Sequence, residues 1–155
     1  MDVKKLNTTS MAYIGDAVYE VYVRAHVMQK DAAHTDALHK RAVAFVRAEG
    51  QASVIKQLMK ERETAVKASE QGLRAADETS ETEAFLLTAE EAALVRRARN
   101  RKSATKPKNT DPVTYKWATA FEALAGWLYL TEQTERLDLF AETAIAYIEN
   151  RMRQK

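Results

Sequence analysis

At 155 residues the chain fits one domain with room for a sizeable core. It has no cysteine, which excludes disulfides and thiolate metal sites and suits a reducing cytoplasm. Four glycines and two prolines among abundant Ala, Leu, Glu and Arg predict an all-α fold, and a net charge of +2 on its face argues against a nucleic-acid partner. That average hides segregated charges. The N-terminus has no apolar signal core, and no stretch has the length of a membrane span.

The first predicted helix runs from about Thr8 to Lys30 and contains Tyr-Ile-Gly-Asp-Ala-Val-Tyr-Glu-Val-Tyr-Val at 13–23. Asp16 is one of its very few charges. Ala12, Tyr19 and Val23 neighbour it at helical spacing, and Ile14, Val18, Val21, Tyr22, Ala25 and Met28 occupy the other side. A helix apolar nearly all round is expected to be buried, so Asp16 needs a cation, a metal or hydrogen bonds to compensate it.

A second helix is expected over roughly Thr35 to Glu49, with Leu38, Ala42, Phe45 and Val46 inward. Gly50 is the expected break, followed by a helix from near Gln51 that buries Val54, Ile55, Leu58 and Met59. From Glu61 to Ala84 the pattern weakens into Glu, Ala, Thr and Ser, which reads as an exposed helix, a mobile loop or both. Thr88-Ala-Glu-Glu91 is a capping box opening a helix with Ala92, Leu94, Val95 and Ala98. Asp111-Pro112 starts another, to about Thr131, and the last spans about Glu135 to Arg151.

The helix after Pro112 carries a second lone acid. Glu122 is the only charge in residues 117–130, and its neighbours Ala118, Thr119, Ala125 and Gly126 are small, as is Gly15 beside Asp16. Small residues let two helices approach closely, so the two acids can meet across one interface. Adjacent carboxylates repel and need a divalent cation between them, for which oxygen ligands favour magnesium. The alternative is separate neutralisation, of Asp16 by Arg24 or Arg47 and of Glu122 by Lys116.

Residues 96–108 hold seven basic residues in thirteen and no acid. They form either an ordinary solvated loop or a phosphate-binding segment beside the lone acid, opposed by the acidic run from Glu61 to Glu91. The polarised chain keeps a basic face for nucleic acid open. His26, His34 and His39 lack a Ser or Cys partner at a recognisable spacing, no glycine-rich phosphate loop is present, and Tyr19, Trp117 and Trp127 read as core or interface residues.

Tyr-Ile-Gly-Asp-Ala-Val-Tyr-Glu-Val-Tyr-Val-Arg (13–24) resembles the signature of ribonuclease III domains, and more narrowly that of Mini-III ribonucleases, which lack a double-stranded-RNA-binding domain. Leu-His-Lys (38–40), Arg-Asn-Arg-Lys-Ser (99–103) with Pro-Lys-Asn-Thr-Asp (107–111), and Thr-Ala-Phe-Glu-Ala-Leu-Ala-Gly-Trp-Leu (119–128) agree with it in the same order. The resemblance implies an all-α, homodimeric ribonuclease III catalytic domain that cuts double-stranded RNA with Mg2+. Asp16 and Glu122 match the carboxylates that hold the metal, and each protomer would cut one strand to leave a 5′-phosphate and a 3′-hydroxyl. It further implies the 23S ribosomal RNA precursor as substrate, assistance from a large-subunit ribosomal protein, and RNA contacts by Arg96, Arg97, Arg99, Arg101, Lys102, Lys106, Lys108 and Asn109.

Two departures stand out. Full-length ribonuclease III carries extra acids where this chain has Thr9, Ala12 and Thr119, so a leaner metal site is expected. The stretch at about 61–84 reads as a family-variable acidic insertion in the single domain 1–155, where a helical hairpin would present Lys67 or Arg74 to a groove. A non-catalytic double-stranded-RNA-binding ribosome-assembly factor with the same fold is the alternative function, and a purely helical dimerisation module is a third.

Overall fold

The computed structural model describes residues 1–30, 34–72, 85–102 and 109–154. After a short 3-10 turn, Val3–Lys5, six helices follow among these residues: α1 Thr8–Lys30, α2 Thr35–Val46, α3 Ala48–Glu70, α4 Ala89–Asn100, α5 Pro112–Leu130 and α6 Thr134–Arg153. No strand occurs among the described residues, so the all-α expectation holds. No helix there is long and apolar enough to cross a membrane.

The predicted start signals operate as read. Thr88 accepts from the Glu91 amide while Glu91 accepts from the Thr88 amide, closing the capping box. Asp111 caps the Thr114 amide at 3.1 Å with Pro112 in the first turn. The break between α2 and α3 falls elsewhere than expected. Arg47, in extended backbone at φ −72° and ψ 156°, ends one helix and begins the next. Gly50 lies inside the first turn of α3, where its missing side chain lets the Ala44 carbonyl and Ile148 come close. The stretch expected to weaken at Glu61 continues α3 as far as Glu70, and Arg74 and the rest of the proposed hairpin fall outside the described residues.

α5 is the central element, packed by α1, α3, α4 and α6. Ala120, Phe121, Ala123, Leu124, Ala125 and Leu128 are buried, and Phe121 joins Tyr19 of α1 to Phe140 of α6 with ring centroids 4.7 and 4.9 Å apart. A buried clasp ties the ends of α4 and α6. Arg136 donates to both oxygens of Glu91 at 2.8 and 2.7 Å and to the Leu86 carbonyl, with its guanidinium 4.0 Å from the Phe85 ring. Glu91 is only 1% exposed, and the fork gives both of its buried oxygens a charged donor.

The contact that positions everything else is between α1 and α5. A Cβ on Gly15 would lie 1.7 Å from the Glu122 carbonyl oxygen, and one on Gly126 would lie 1.9 Å from that of Met11. The two helices therefore touch backbone to backbone. Gly15→Ala should destabilise the fold by about 3 kcal/mol in urea unfolding, because two helix backbones must separate. Gly72→Ala, with open space around it but φ +70°, should cost only about 1 kcal/mol.

Candidate active site

Asp16 follows Gly15 by one residue, hence by about 100° around the helix. Gly15 occupies the contact with α5, which leaves Asp16 on its rim and exposed. This corrects the expectation of a buried Asp16. The buried face of α1 is formed by Met11, Ala12, Gly15, Val18, Tyr19, Val23 and Val27, whereas Val21, Ala25 and Met28 face outward. The helix has one fully covered side rather than two.

The more buried acid is Glu122. Its carboxyl lies within interaction range of that of Asp16, as the small-residue interface predicts. Burial first, then the hydrogen bond and the negative charge of Asp16, push Glu122 up to about 9, against the opposing pull of the Gln51 amide. No salt bridge to either acid is present among the described residues, and Arg24 pairs instead with Glu20 at 3.3 Å. Neutralisation by Arg24, Arg47 or Lys116 is thus not what this site uses.

Gln51 does not stand out as a site residue in the sequence. It is 2% exposed on the apolar face of α3, and its amide favours the ionised form of Glu122 while its Nε2 makes no full hydrogen bond. An amide one turn before Val54 and Ile55 on a buried face is the available signal. Asp16, Glu122 and Gln51 form an oxygen-rich set with an unsatisfied amide, a chemistry that fits a small hard cation and its hydration shell. Among the described residues no third Asp, Glu or His joins the pair in a larger cluster.

The basic segment divides between two faces. Arg96 and Arg99 line a groove with Lys56 and Lys60 of α3 and Trp117 of α5. Arg97 lies elsewhere, beside Val3, Leu6, Glu90 and Trp127. Arg101 and Lys102 are exposed at the end of α4, and Asn109 is exposed just before α5. Lys106 and Lys108 lie outside the described residues. Lys67 pairs with Glu63 on α3 at 3.5 Å. Tyr19 is a core residue, and Trp117 is half-buried beneath Arg99, whose guanidinium is 4.8 Å from its ring.

Six helices with a carboxylate pair at the crossing of α1 and α5 have clear relatives. The ribonuclease III domain family matches residues 9–133. The Mini-ribonuclease 3 of Enterococcus faecalis is 37% identical over 88% of this chain and 86% of its own length. That of Streptococcus pneumoniae is 34% identical over 96% of this chain and 98% of its own length. A crystal structure of a protein from Fusobacterium nucleatum shares the fold, with a TM-score of 0.69 at 24% identity over 94% of this chain and 96% of that one. The chain belongs to the ribonuclease III family, within its Mini-ribonuclease 3 branch. It is a ribonuclease III-type endoribonuclease, of a family whose enzymes generally depend on a divalent metal.

The raised Glu122 pKa has a consequence for stability. Above the unfolded value of 4.5 the unfolded chain has released this proton while the folded chain keeps it, so stability falls as pH rises from 4.5 to about 9. With divalent cations chelated, melting temperature should decline over that window in the wild type. Glu122→Gln should flatten the decline and melt higher at pH 8. Parallel melting curves for the two proteins would exclude this linkage.

Proposed function

We propose that the protein is a Mg2+-dependent endonuclease for double-stranded RNA, acting as a cytoplasmic homodimer in maturation of the 23S ribosomal RNA precursor. The observation that carries the catalytic assignment is the meeting of Asp16 and Glu122 at the α1–α5 crossing, with Gln51 behind them. Asp16 and Glu122 would hold the cation, which when bound neutralises the pair and activates water for in-line attack on a phosphodiester. Asp16, exposed on the rim, is open to solvent and to a phosphate oxygen. On metal binding Glu122 would release its proton to solvent and serve as a ligand, and the Gln51 amide would steady the resulting carboxylate. Arg96, Arg99, Arg101, Lys102 and Asn109 supply contacts to the RNA backbone, where shape dominates sequence.

Dimerisation is supported by the outward stripe of α1. Tyr13, Val21 and Met28 are 85, 68 and 56% exposed and lie on one side of the helix with Ala17. Asp16 borders this stripe, so a two-fold axis through it would set two sites near one interface, each serving one strand. Val21→Glu should convert a dimer to monomer in sedimentation velocity while retaining helical content.

The catalytic reading is tested with long double-stranded RNA, with and without Mg2+. Wild type should cut only with metal and leave 5′-phosphate ends. Asp16→Asn and Glu122→Gln should lose at least about a thousandfold in rate yet still bind, since their loss removes the cation ligands rather than the basic surface. RNA binding by wild type without cleavage would favour the assembly-factor alternative.

A further inference from the structure

We propose that Lys56 and Lys60 of α3, opposite Arg96 and Arg99 of α4, form a phosphate-binding groove for the RNA strand that enters the carboxylate site, an inference that rests on the nuclease reading above. The groove has a volume of about 710 Å³, and Trp117 of α5 is among the residues that line it. Lys56 and Lys60 are one helical turn apart and exposed, Arg96 is exposed and Arg99, at i+3 from it, is half-buried, so each wall presents two cations to the same space.

Four charges of one sign facing one groove repel one another unless an anion enters. Among the described residues no acid pairs with Lys56, Lys60, Arg96 or Arg99. Among the described residues Arg99 has neutral partners, the Trp117 ring and the Asn100 side-chain oxygen at 3.0 Å. Further along α3 the character changes. Arg62 donates to the Leu87 carbonyl at 2.8 Å, Lys67 is paired with Glu63, and Glu70 adds a negative charge. The uncompensated positive stretch is therefore short and ends before the C-terminus of α3.

Its near end points at the candidate active site. Lys56 follows Gln51 on α3 by five residues, and Trp117 precedes Glu122 on α5 by five residues, each roughly 7.5 Å along its helix axis. Gln51 and Glu122 are neighbours, so Lys56 on α3 and Trp117 on α5, which both line the groove, lie a similar distance along their helices from the carboxylate pair. A strand whose scissile phosphate rests at Asp16 and Glu122 would lay its neighbouring phosphates between the two lysines and the two arginines. The partner is a polyanionic backbone rather than a base, because the groove offers two lysine point charges and two arginine forks that suit phosphate oxygens.

The test measures binding of a double-stranded RNA oligomer to the full-length protein carrying Asp16→Asn, with and without K56E/K60E. The charge reversal should weaken binding at least about tenfold at moderate salt. It should also lower the slope of log K against log salt by about two, one for each phosphate no longer neutralised by a lysine. K4E/K5E, the same charge change on the N-terminal turn, should leave both quantities close to the parent. Melting temperature should not fall in K56E/K60E, since repulsion is relieved, and K56Q/K60Q should show the same pattern in weaker form. An unchanged salt slope in both groove variants, or loss of affinity only in proportion to a lowered melting temperature, would overturn the proposal. Failure of otherwise wild-type protein to cut the RNA with Mg2+ would instead strike the nuclease reading, whatever the groove variants do.

Discussion

The backbone-to-backbone contact between α1 and α5 governs the rest of the molecule. Gly15 and Gly126 each abut a main-chain carbonyl of the opposite helix, so the contact tolerates no side chain at either position. Each glycine sacrifices roughly 1 kcal/mol of helix propensity relative to alanine. The return is a separation between helix axes short enough for an Asp on one and a Glu on the other to touch. Larger residues would hold the carboxyl groups apart and leave two ordinary surface acids.

The two acids are unequal, and the inequality follows from where each sits on that crossing. Asp16 is on the rim and solvated, whereas Glu122 is half-buried among small residues with Gln51 behind it. Desolvation falls on one member, which retains a proton, while the other stays accessible. Such asymmetry is the usual physical basis for dividing roles between paired carboxyl groups. The Glu91–Arg136 clasp plays no part in that chemistry. It fastens α4 against α6 and so fixes the helix that carries Arg96 and Arg99.

Much of this is legible in the chain. Helical periodicity, the Thr88 capping box and the Asp111-Pro112 start place five of the six helix beginnings closely, and small residues around Glu122 anticipate its meeting with Asp16. The burial expected of Asp16 does not hold, because apolar residues surround α1 and periodicity alone does not say which side faces α5. The exposed Tyr13, Val21 and Met28 are as apolar as the buried Val23 and Val27. Glycine terminates many helices, yet Gly50 serves close packing and an extended Arg47 makes the turn. Gln51 is silent in the sequence because a single amide among apolar residues acquires meaning only once Glu122, far along the chain, lies beside it. Arg96 and Arg97 are adjacent in sequence but belong to different surfaces, a division that composition cannot reveal.

The α1–α5 crossing also bears on how the chain comes into being. Its two acids stand about a hundred positions apart along the polypeptide. As a ribosome synthesises the chain, α1 waits with its glycine-notched face uncovered until α5 has been made and has docked. A nascent or prematurely terminated product therefore possesses no carboxylate pair. A protein made by the translation machinery can in this way withhold its carboxylate pair until α5 has been synthesised and has docked on α1.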